Sequence, residues 1–454
     1  MAGTIIVSDI KTDTDNSFVV RANTGNVLFR VTDTGLDTAN SIASGSITSD
    51  MIADGTVIAA DVADGSITTA KIADGNVTAA KIDTVANTQV TGVMTTSQVA
   101  DSAITVSKLA TTVAGALGTR NLIINGDMRI AQRGSSLATS SSEGYIIDRY
   151  LVGSFNGNTV TYSQDTDVPS GYGFTNSMKV TNTTGTAAST FEAIQQRIEG
   201  LITSQLDFGS ASAKQITLSF WVKSSVTGTY SVGLRNSGNT RGYVADYTIS
   251  SANTWEKKTV TITGDTTGTW LTTNGIGIRT FFVLGASAGN STTPGSWSAS
   301  ANMGSTNLSN TWTTTSSATF YITGIQLEVG DTATPFEHRP YDMELARCQR
   351  YFVKFGGDSA YTPYGTGNNY STTNGTMVVK FPVSMRTTPT LTVTTPNRVL
   401  SGSVASSVTS MSLGNGGALS AYLDYTSTGL TVGYGSYITS NGSTAGTISF
   451  SSEL

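Results

Sequence analysis

The sequence is poor in the residues that form disulfide frameworks and most catalytic centres. Its 454 residues include one cysteine, Cys348, and one histidine, His338. A single cysteine cannot form an intrachain disulfide, so burial or assembly must stabilise the fold. Any nucleophilic triad must use His338, with Cys348 or a serine as nucleophile. No zinc-binding spacing, P-loop or dinucleotide-binding glycine pattern occurs. We therefore expect His338 to be structural and Cys348 to be a small buried hydrophobe.

Charged residues are also scarce, at 13% of the chain, and the formal net charge is −5. This balance leaves no broad basic surface to neutralise phosphates, so neither nucleic acid nor membrane lipid is expected as a partner. The first residues lack a cationic region followed by an apolar run, and nowhere do eighteen apolar residues follow each other. The sequence therefore predicts neither a secretory signal nor membrane insertion.

Glycine is abundant, with 48 residues, and Ser, Thr and Asn are dense, whereas strong helix formers are few. Such a composition predicts an all-β protein of short strands and turns. In residues 216–223, Ile and other apolar residues alternate with polar ones, which places Trp221 on the outer face of its sheet. Strands at this spacing predict an antiparallel sandwich or jelly roll. The clearest segments are NLIING (121–126), QITLSFWVKSS (215–225), GTYSVGLRN (228–236), YVADYTIS (243–250), KKTVTIT (257–263), GIGIRTFFVLG (275–285) and ATFYITGIQLEVG (318–330).

A ten-residue repeat precedes these strands, reading GSITSDMIAD, GTVIAADVAD, GSITTAKIAD and GNVTAAKID from residue 45. A spacing of five keeps side chains on one side of neither a helix nor a strand, so the chain must bend between them. Gly after Asp, at 54–55, 64–65 and 74–75, supplies a turn with φ > 0 at the start of the later repeats. Apolar residues recur at every fifth position: Ile47, Ile52, Val57, Val62, Ile67, Ile72, Val77 and Ile82.

Three interpretations of the repeat differ in whether these apolar side chains are buried and by what. Ordering some forty residues costs roughly 60 kcal/mol, whereas burying eight Ile and Val side chains yields on the order of 16 kcal/mol. One copy alone should not fold, which favours a stalk of three parallel copies around a shared axis. A flexible linker and a monomeric quadrilateral β-helix remain as alternatives. In a trimer, three copies of Cys348 near the axis could touch.

Two further elements flank the strand-rich region. Residues 17–37 alternate apolar and polar side chains around Thr24-Gly25-Asn26, which predicts a β-hairpin. Residues 341–355 follow Pro340 and predict one helix, which we expect to pack one domain onto the next. Residues 357–454 return to strands and predict a second, smaller β unit. The apolar stripe of the helix consists of Leu345, Cys348, Tyr351, Phe352 and Phe355.

The remaining chemistry suits sugars, because exposed aromatic rings can stack on pyranose faces while Asn, Ser, Thr and Asp bond the hydroxyls. For the tryptophans the competing interpretation is core or hairpin packing, and for the two tyrosines it is a hairpin with cross-strand aromatics. Carboxylate pairs, Asp165 with Asp167 or Glu192 with Glu199, could serve a glycosidase, but 31 acidic residues produce such pairs by chance. The candidate carbohydrate-binding residues are Trp221, Trp255, Trp270, Trp297, Tyr434 and Tyr437.

Several segments resemble the tail fibre proteins of tailed bacteriophages, and the decapeptide repeat resembles shafts in the same family. The resemblance covers about residues 45–355, with a looser match before residue 40 and a match through FPVSMRTTPTLTV (381–393) near the end. The segments that carry it are NLIINGDMRIAQRG (121–134), GYIIDRY (144–150), TLSFWVKSSVTGTYSV (217–232), TWEKKTVTITGDTTGTW (254–270) and GIQLEVGDTATPFEHRPYDMELARCQRYF (324–352).

The resemblance implies a homotrimer in the virion, synthesised in the host cytoplasm and held to baseplate or tail proteins by its N-terminal region. It implies a non-enzymatic adhesin for a host surface glycan of the lipopolysaccharide or capsule type. A depolymerase tailspike and a purely structural connector are the alternatives. Modules like the central domain often hold a structural calcium, whose ligands this sequence does not mark; no other cofactor is expected. The implied domains are a virion-attachment hairpin region (1–40), a trimeric decapeptide stalk (41–120), a jelly-roll carbohydrate-binding-like domain (121–340), a linking helix (341–356) and a C-terminal β tip domain (357–454).

Overall fold

The computed structural model of the protein describes residues 18–21, 27–32, 35–36, 50, 52–72, 120–139, 143–154, 158–187 and 190–454. Contacts divide the chain into two compact units, Met1–Ala100 and Asp101–Leu454. Strands dominate the described residues, and the longest α-helix there has 9 residues. The all-β class predicted from the sequence is therefore confirmed.

The first unit contains the predicted hairpin. Its three strands are antiparallel, in the order β1-β2-β3, and Phe18 lies opposite Val31 while Val20 lies opposite Phe29. The predicted turn at Thr24-Gly25-Asn26 lies outside the described residues. The strands are β1 (Phe18–Arg21), β2 (Val27–Thr32) and β3 (Gly35–Leu36).

Residues 52–72 contain the whole decapeptide 55–64 and most of the next one, and the turn at the start of each has the same backbone. Gly55 and Gly65 have φ of +79° and +75°, and each lies in a turn closed by an amide-to-carbonyl hydrogen bond, Thr56 to Ala53 at 3.1 Å in the first. A 3-10 turn follows in each decapeptide. The predicted Asp-Gly turns at positive φ are confirmed at Gly55 and Gly65, whereas the one at Gly75 lies outside the described residues. Ile47, Val77 and Ile82 lie outside the described residues.

The second unit begins with a sandwich of two six-stranded sheets. The front sheet contains β4 (Ser136–Thr139), β7 (Val160–Asp165), β8 (Ser177–Asn182), β10 (Ile216–Ser224), β13 (Glu256–Ile262) and β17 (Thr319–Val329). The back sheet contains β5 (Glu143–Tyr145), β6 (Tyr150–Ser154), β9 (Phe191–Glu199), β11 (Gly228–Arg235), β12 (Gly242–Ile249) and β14 (Ile276–Ala286). A short parallel pair, β15 (Ser291–Thr292) and β16 (Gly304–Ser305), follows β14.

The strand order is that of a jelly roll. The front sheet runs β13-β10-β17-β8-β7-β4 and the back sheet runs β12-β11-β14-β9-β6-β5, with every neighbouring pair in both sheets antiparallel. The eight central strands can be numbered from β8 to β17, leaving out the short pair β15 and β16. In this numbering the front sheet holds strands 6, 3, 8 and 1 in spatial order, and the back sheet holds strands 5, 4, 7 and 2. This is the double Greek-key arrangement of eight strands. Two more strands widen each sheet.

Alternation along β10 separates the core from the outer face. Ile216, Leu218, Phe220 and Val222 point between the sheets and are at most 1% exposed, and the Phe220 ring meets Phe282 of the back sheet edge-on, with centroids 5.1 Å apart. Trp221 lies on the outer face, as the alternation predicted. The six other predicted strands listed with NLIING all form, as β10 to β14 and β17.

The segment NLIING is not a strand, so that prediction was wrong. Asn125 has φ of +59°, a left-handed conformation that interrupts a strand. The amides of Ile123 and Ile124 bond to side-chain oxygens instead of a neighbouring strand, namely Asn121 Oδ1 at 3.0 Å and Gln196 Oε1 at 2.9 Å. The apolar residues of this segment are buried all the same.

The predicted helix is shorter than expected. It spans Tyr341–Gln349, and the chain then enters a strand, Phe352–Gly356, so the prediction of a helix to residue 355 or 356 was wrong. The strand pairs with a segment about a hundred residues further on, Phe352 lying opposite Ser451, and this tertiary pairing overrides the local helical pattern. The helices are α1 (Gly200–Thr203), α2 (Thr311–Thr314) and α3 (Tyr341–Gln349).

The C-terminal residues form a second sandwich. A small sheet has the order β18-β27-β21, and a large sheet has the order β23-β22-β26-β19-β20-β25-β24. Their strands are β18 (Phe352–Gly356), β19 (Pro363–Asn369), β20 (Asn374–Lys380), β21 (Thr390–Thr394), β22 (Asn397–Ser401), β23 (Val404–Ser407), β24 (Ser410–Gly416), β25 (Ser420–Thr426), β26 (Gly435–Ser440) and β27 (Thr447–Ser451).

Helix α3 packs between the two sandwiches. Cys348 and Tyr351 are buried against Ile124 and Ile130, so Cys348 is the buried hydrophobe that the sequence predicted, and burial raises the pKa of its thiol well above the ordinary value. Glu199, at the end of β9, accepts hydrogen bonds from Arg350 Nη2 at 2.6 Å and from Tyr351 Oη at 2.6 Å. Polar as well as apolar contacts therefore join α3 to the jelly roll.

Candidate functional site

An aromatic cleft opens on the outer face of the front sheet, with a volume of 330 Å³. We call it the outer-face cleft. Pockets of this size, with apolar walls and a few polar groups, are typical of small-ligand sites. Its lining consists of Tyr172, Phe174, Ser219, Trp221, Lys257, Gly324, Ala333, Pro335, Phe336 and His338.

A bulge in the front sheet makes room for the Trp221 ring. The register between β10 and β17 shifts between Ser219 and Trp221, and Gly324 of β17 has φ of +62° there. A Cβ atom on Gly324 would lie 2.6 Å from Phe174 Cζ and 3.0 Å from Trp221 Cδ1. Glycine is the residue that adopts this left-handed conformation without strain and leaves room for the Phe174 and Trp221 rings beside it.

Tyr172 forms the open side of the cleft against Trp221. Their ring centroids are 4.4 Å apart and the planes are tilted by 48°, and Tyr172 is 53% exposed. A nitrogen of His338, Nε2, lies 2.9 Å from the carbonyl oxygen of Tyr172. The His338 ring also meets Phe336 edge-on at 4.9 Å. His338 therefore positions the Tyr172 segment, in agreement with the structural role predicted for it.

Polar groups lie beside these rings. Lys257 of β13 pairs in register with Trp221, so its side chain projects from the same outer face, and Ser219 lies two residues before Trp221 on β10. An ammonium group beside these rings can bond the hydroxyls of a ligand whose apolar face lies on a ring, whereas Ser219, 3% exposed, lines the cleft as a buried side chain.

The neighbouring part of the outer face holds Trp255 in a charged aromatic cluster. Lys223 Nζ lies 4.4 Å from the Tyr321 ring centroid and 5.5 Å from that of Trp255. Trp255 Nε1 donates to Asp167 Oδ1 at 3.0 Å, and Lys223 forms an ion pair with the same carboxylate. Burial alone would raise the pKa of Asp167, but the bonds from Lys223 and Trp255 outweigh it and lower the pKa. Trp255 can therefore offer a ligand only its ring.

Trp270 and Trp297 form a separate cluster. Their rings meet at 5.4 Å and 83°, and Phe208 packs against both. Their indole N–H groups donate to the carbonyl oxygens of Thr267 and Thr263, at 3.1 Å and 2.7 Å. Trp270 also lines a second pocket, of 240 Å³. Both rings are partly buried against the jelly-roll core, as in the packing interpretation of the sequence.

Tyr434 and Tyr437 lie on the C-terminal sandwich, not with the tryptophans. They are 53% and 42% exposed. Tyr437 of β26 is flanked in register by Leu400 of β22 and Thr366 of β19. The six candidates thus fall into three places: the outer face of the front sheet, the Trp270 cluster and the large C-terminal sheet.

The carboxylates considered for hydrolysis are held by other protein groups. Glu192 is fully buried and accepts a hydrogen bond from Tyr162, while Asp165 pairs with Lys179 at 3.6 Å. Over the described residues, no three His, Cys, Asp or Glu side chains gather as metal ligands. No helix in the same part of the chain is long and apolar enough to cross a membrane.

Sequence reasoning missed the residues that surround Trp221. Tyr172 and Phe174 lie in GYGFTN, where Gly171 and Gly173 have φ of +83° and +76°. This Gly-aromatic alternation, like the paired Gly and Tyr residues at 433–437, was a signal for rings on an irregular loop. Phe336 comes from PFEHRPY, which sequence analysis noted only as the context of the lone histidine.

Comparison with known proteins gives structural likenesses at low scores. No protein-family model and no curated protein matches the sequence. An enzymatically active domain of tailspike protein 4 from bacteriophage CBA120 is similar over 46% of this chain and 22% of its own, at 13% identity and a TM-score of 0.26. The protein thus spans about a fifth of that tailspike chain.

Carbohydrate-binding modules are similar over comparable lengths. A family 11 module from Clostridium thermocellum, solved with a β-1,3-1,4-mixed-linked tetrasaccharide, is covered over 100% of its length and 45% of this chain, at 13% identity and a TM-score of 0.22. A xylan-binding domain from Paenibacillus barcinonensis is covered over 96%, and 47% of this chain, at 8% identity and a TM-score of 0.23. Likeness at these scores does not bear on the ligand of this protein.

Proposed function

We propose that the protein is a homotrimeric bacteriophage tail fibre that binds a glycan of the host cell surface, of the lipopolysaccharide or capsule type, without cleaving it. The observation that carries the proposal is the outer-face cleft, in which Trp221 and the exposed Tyr172 ring lie 4.4 Å apart. In this account the protein belongs to the virion, residues 1–40 attach it to baseplate or tail proteins, and the later domains face the host.

The cleft suits a sugar because it combines exposed ring surface with hydrogen-bonding groups. The apolar face of a pyranose can lie on Trp221 or Tyr172, while Lys257 bonds hydroxyls at the edge of the sugar. Burying an aromatic ring in this way is the usual source of affinity at small binding sites. The volume of 330 Å³ accommodates one or two sugar units rather than a long polymer.

The decapeptide repeat supports the homotrimer. A single chain leaves four of the five described members of the five-spaced series in solvent, with Ile52 44%, Val57 56%, Ile67 57% and Ile72 40% exposed, and Val62 partly exposed. Exposing a series of branched apolar residues is unfavourable, since burial of each is worth roughly 1.5–3 kcal/mol. Three parallel copies that turn these residues toward one axis remove them from water.

Trimerisation also explains how a shallow cleft can hold a virion on a cell. Three clefts on one fibre, and several fibres on one particle, convert the second and later binding events into intramolecular ones. Effective concentration then raises the overall avidity by 10²–10⁴ without any new contact. Each individual cleft can remain weak.

The test is incubation of the purified full-length protein with lipopolysaccharide and capsular polysaccharide from a panel of candidate hosts. Retention of protein on a polysaccharide, together with no increase in reducing ends, is the expected result. New reducing ends would instead identify a depolymerase, and the absence of binding to every polysaccharide of a host that the phage adsorbs to would indicate a structural connector. Either result contradicts the proposal.

A further inference from the structure

Three arginines lie side by side on the outer face of the back sheet. Arg279 of β14 is directly opposite Arg197 of β9 on one side and Arg235 of β11 on the other. Neighbouring strands are about 4.8 Å apart, and like charges placed directly opposite each other destabilise a sheet. The arrangement, which we call the arginine row, therefore costs folding energy.

Only one member of the row forms an ion pair within the described residues. Arg197 Nη2 lies 3.6 Å from Glu143 Oε2. Arg235 donates to the carbonyl oxygen of Ala301 at 2.7 Å, and Arg279 donates to Asn239 Oδ1 at 3.2 Å, both neutral acceptors. The Nε atoms of Arg235 and Arg279 are buried and have no hydrogen-bond partner.

Burial and repulsion between the guanidinium groups both lower the pKa of Arg235 and Arg279. Burial, followed by the charges of Arg279 and Arg197, lowers the pKa of Arg235 to about 10. Burial and Arg197 likewise lower the pKa of Arg279. Arginine stays charged at neutral pH even so, and the ion pair of Arg197 with Glu143 is the one that the row forms among the described residues.

The row faces a small groove that can admit a single charged group. The groove has a volume of 50 Å³, room for a few water-sized groups but not for a sugar ring. Phe281 forms part of its wall, and the Arg235 guanidinium carbon lies 4.9 Å from the centre of that ring. Stacking of this kind holds a guanidinium in a fixed plane. Next to the groove, Met303 and the partly buried Leu308 pack on the same sheet face.

We propose that the arginine row binds an oxyanion, a carboxylate or a phosphate, carried by the glycan. Arginine forks bond planar carboxylates and phosphates through two parallel N–H donors, which offsets the repulsion between the guanidinium groups. The inference rests on the proposed glycan-binding function and adds a ligand class to it, an acidic polysaccharide. The row and the outer-face cleft lie on opposite faces of the jelly roll, so the two sites act separately.

The test uses the full-length protein and three tetrasaccharides of equal linkage: glucose, glucuronate, and glucose carrying a phosphate. Dissociation constants are measured for the wild type, for the double variant Arg235→Gln/Arg279→Gln, and for Arg279→Lys. Arg398→Gln is the matched control, because Arg398 is a half-buried arginine of the C-terminal sandwich that stacks on Tyr361 at 4.0 Å. Arg197 is left intact, since its Nη1 also holds the Leu454 carbonyl oxygen at 2.5 Å.

The wild type should bind at least one acidic tetrasaccharide tenfold or more tightly than the neutral one, and the two acidic ligands separate carboxylate from phosphate recognition. The double variant should lose this preference while its affinity for the neutral ligand stays unchanged. Arg279→Lys should retain part of the preference, and Arg398→Gln all of it. Since repulsion is relieved, the double variant should melt at the same temperature as the wild type or higher.

Two results would overturn the inference alone: equal affinity of the wild type for acidic and neutral ligands, or an acidic preference that survives in the double variant. Binding of host polysaccharide without binding of either acidic tetrasaccharide also overturns it while leaving the proposed function standing. If no polysaccharide binds at all, both proposals fall.

Discussion

The Tyr172 ring lies against Trp221 with the centroids 4.4 Å apart, and Tyr172 remains 53% exposed. The two residues are 49 positions apart in sequence, and they meet because Gly324 leaves space beneath them. A ligand that entered the cleft would replace water on both rings. The contribution of each of the two rings to binding can therefore be tested by mutation.

Replacing Tyr172 with Ala should weaken binding of the host polysaccharide. The change removes one wall of the cleft, and we expect a loss of roughly tenfold in affinity, or about 1.4 kcal/mol. Tyr172→Phe is the control, because it retains the ring and the backbone carbonyl that contacts His338. Biolayer interferometry on immobilised polysaccharide measures both. If the Tyr172→Ala variant bound the polysaccharide with wild-type affinity, Tyr172 would not belong to the binding site.

Gly324→Ala should destabilise the jelly roll and distort the cleft. The added Cβ must occupy a left-handed conformation, at a cost of about 1–2 kcal/mol, and lies within 3.0 Å of both Phe174 and Trp221. Gly289→Ala is the matched control, since a Cβ there meets nothing within 4 Å and φ is not positive. Urea denaturation should show a loss of about 2 kcal/mol for the first and less than about 0.5 kcal/mol for the second. Equal stability of the two variants would contradict the account of the bulge.

Glu199→Gln should weaken the attachment of α3 to the jelly roll in a pH-dependent way. Burial would raise the pKa of Glu199, but hydrogen bonds from Arg350 and Tyr351 outweigh it and hold the pKa below its ordinary 4.5. A carboxyl whose pKa is depressed by folding stabilises the fold fully above the unfolded value, and this contribution is lost as the pH falls through the folded value.

The Glu199→Gln variant should therefore be about 2 kcal/mol less stable than the wild type at pH 7. The difference should begin to shrink below pH 4.5, where the carboxyl of the unfolded chain takes up a proton, and disappear once the pH falls below the lower pKa of the folded carboxyl. Denaturant titrations at pH 7 and at lower pH measure it. Asp207→Asn is the control, because the exposed Asp207–Lys214 pair, 3.2 Å apart, is worth at most about 1 kcal/mol. A difference that is constant with pH would exclude the ionised carboxylate as its source.

Ile67→Ser should weaken the trimer, and Ile58→Ser should not. The two isoleucines are almost equally exposed in one chain, 57% and 58%, but only Ile67 belongs to the five-residue series that we assign to the trimer axis. Loss of each buried side chain should cost roughly 1.5–3 kcal/mol per copy. Sedimentation velocity over a concentration series gives the trimer fraction. Identical profiles for the two variants, or a folded monomer for the wild type at micromolar concentration, would refute the shared axis.

Local pattern predicted much of the fold. Alternation placed Ile216 and Phe220 in the core and Trp221 outside, and the Asp-Gly pairs at Gly55 and Gly65 form the turns that the repeat indicated. The helix at 341 was recognised from its apolar spacing. Its end was missed, because the strand after it forms only by pairing with β27, a partner that no local pattern contains.

The candidate site could be predicted only in part, for the same reason. Trp221 was identifiable from one strand, whereas Tyr172 and Phe336 reach it through the tertiary fold. The arginine row depends on the register of three strands separated by long segments, so Arg197, Arg235 and Arg279 carry no shared signal in the sequence. The indole N–H bond of Trp255 to Asp167 likewise joins positions 88 residues apart.

The most direct test of the central claim compares wild type and Trp221→Ala on an array of bacterial surface glycans, with Trp270→Ala as a control for loss of a partly buried indole. The account predicts that the wild type binds at least one glycan and that Trp221→Ala, still trimeric and folded, binds it about 30-fold more weakly, a loss of about 2 kcal/mol. Trp270→Ala should keep its affinity. Undiminished binding by Trp221→Ala would contradict the assignment of the outer-face cleft as the glycan site.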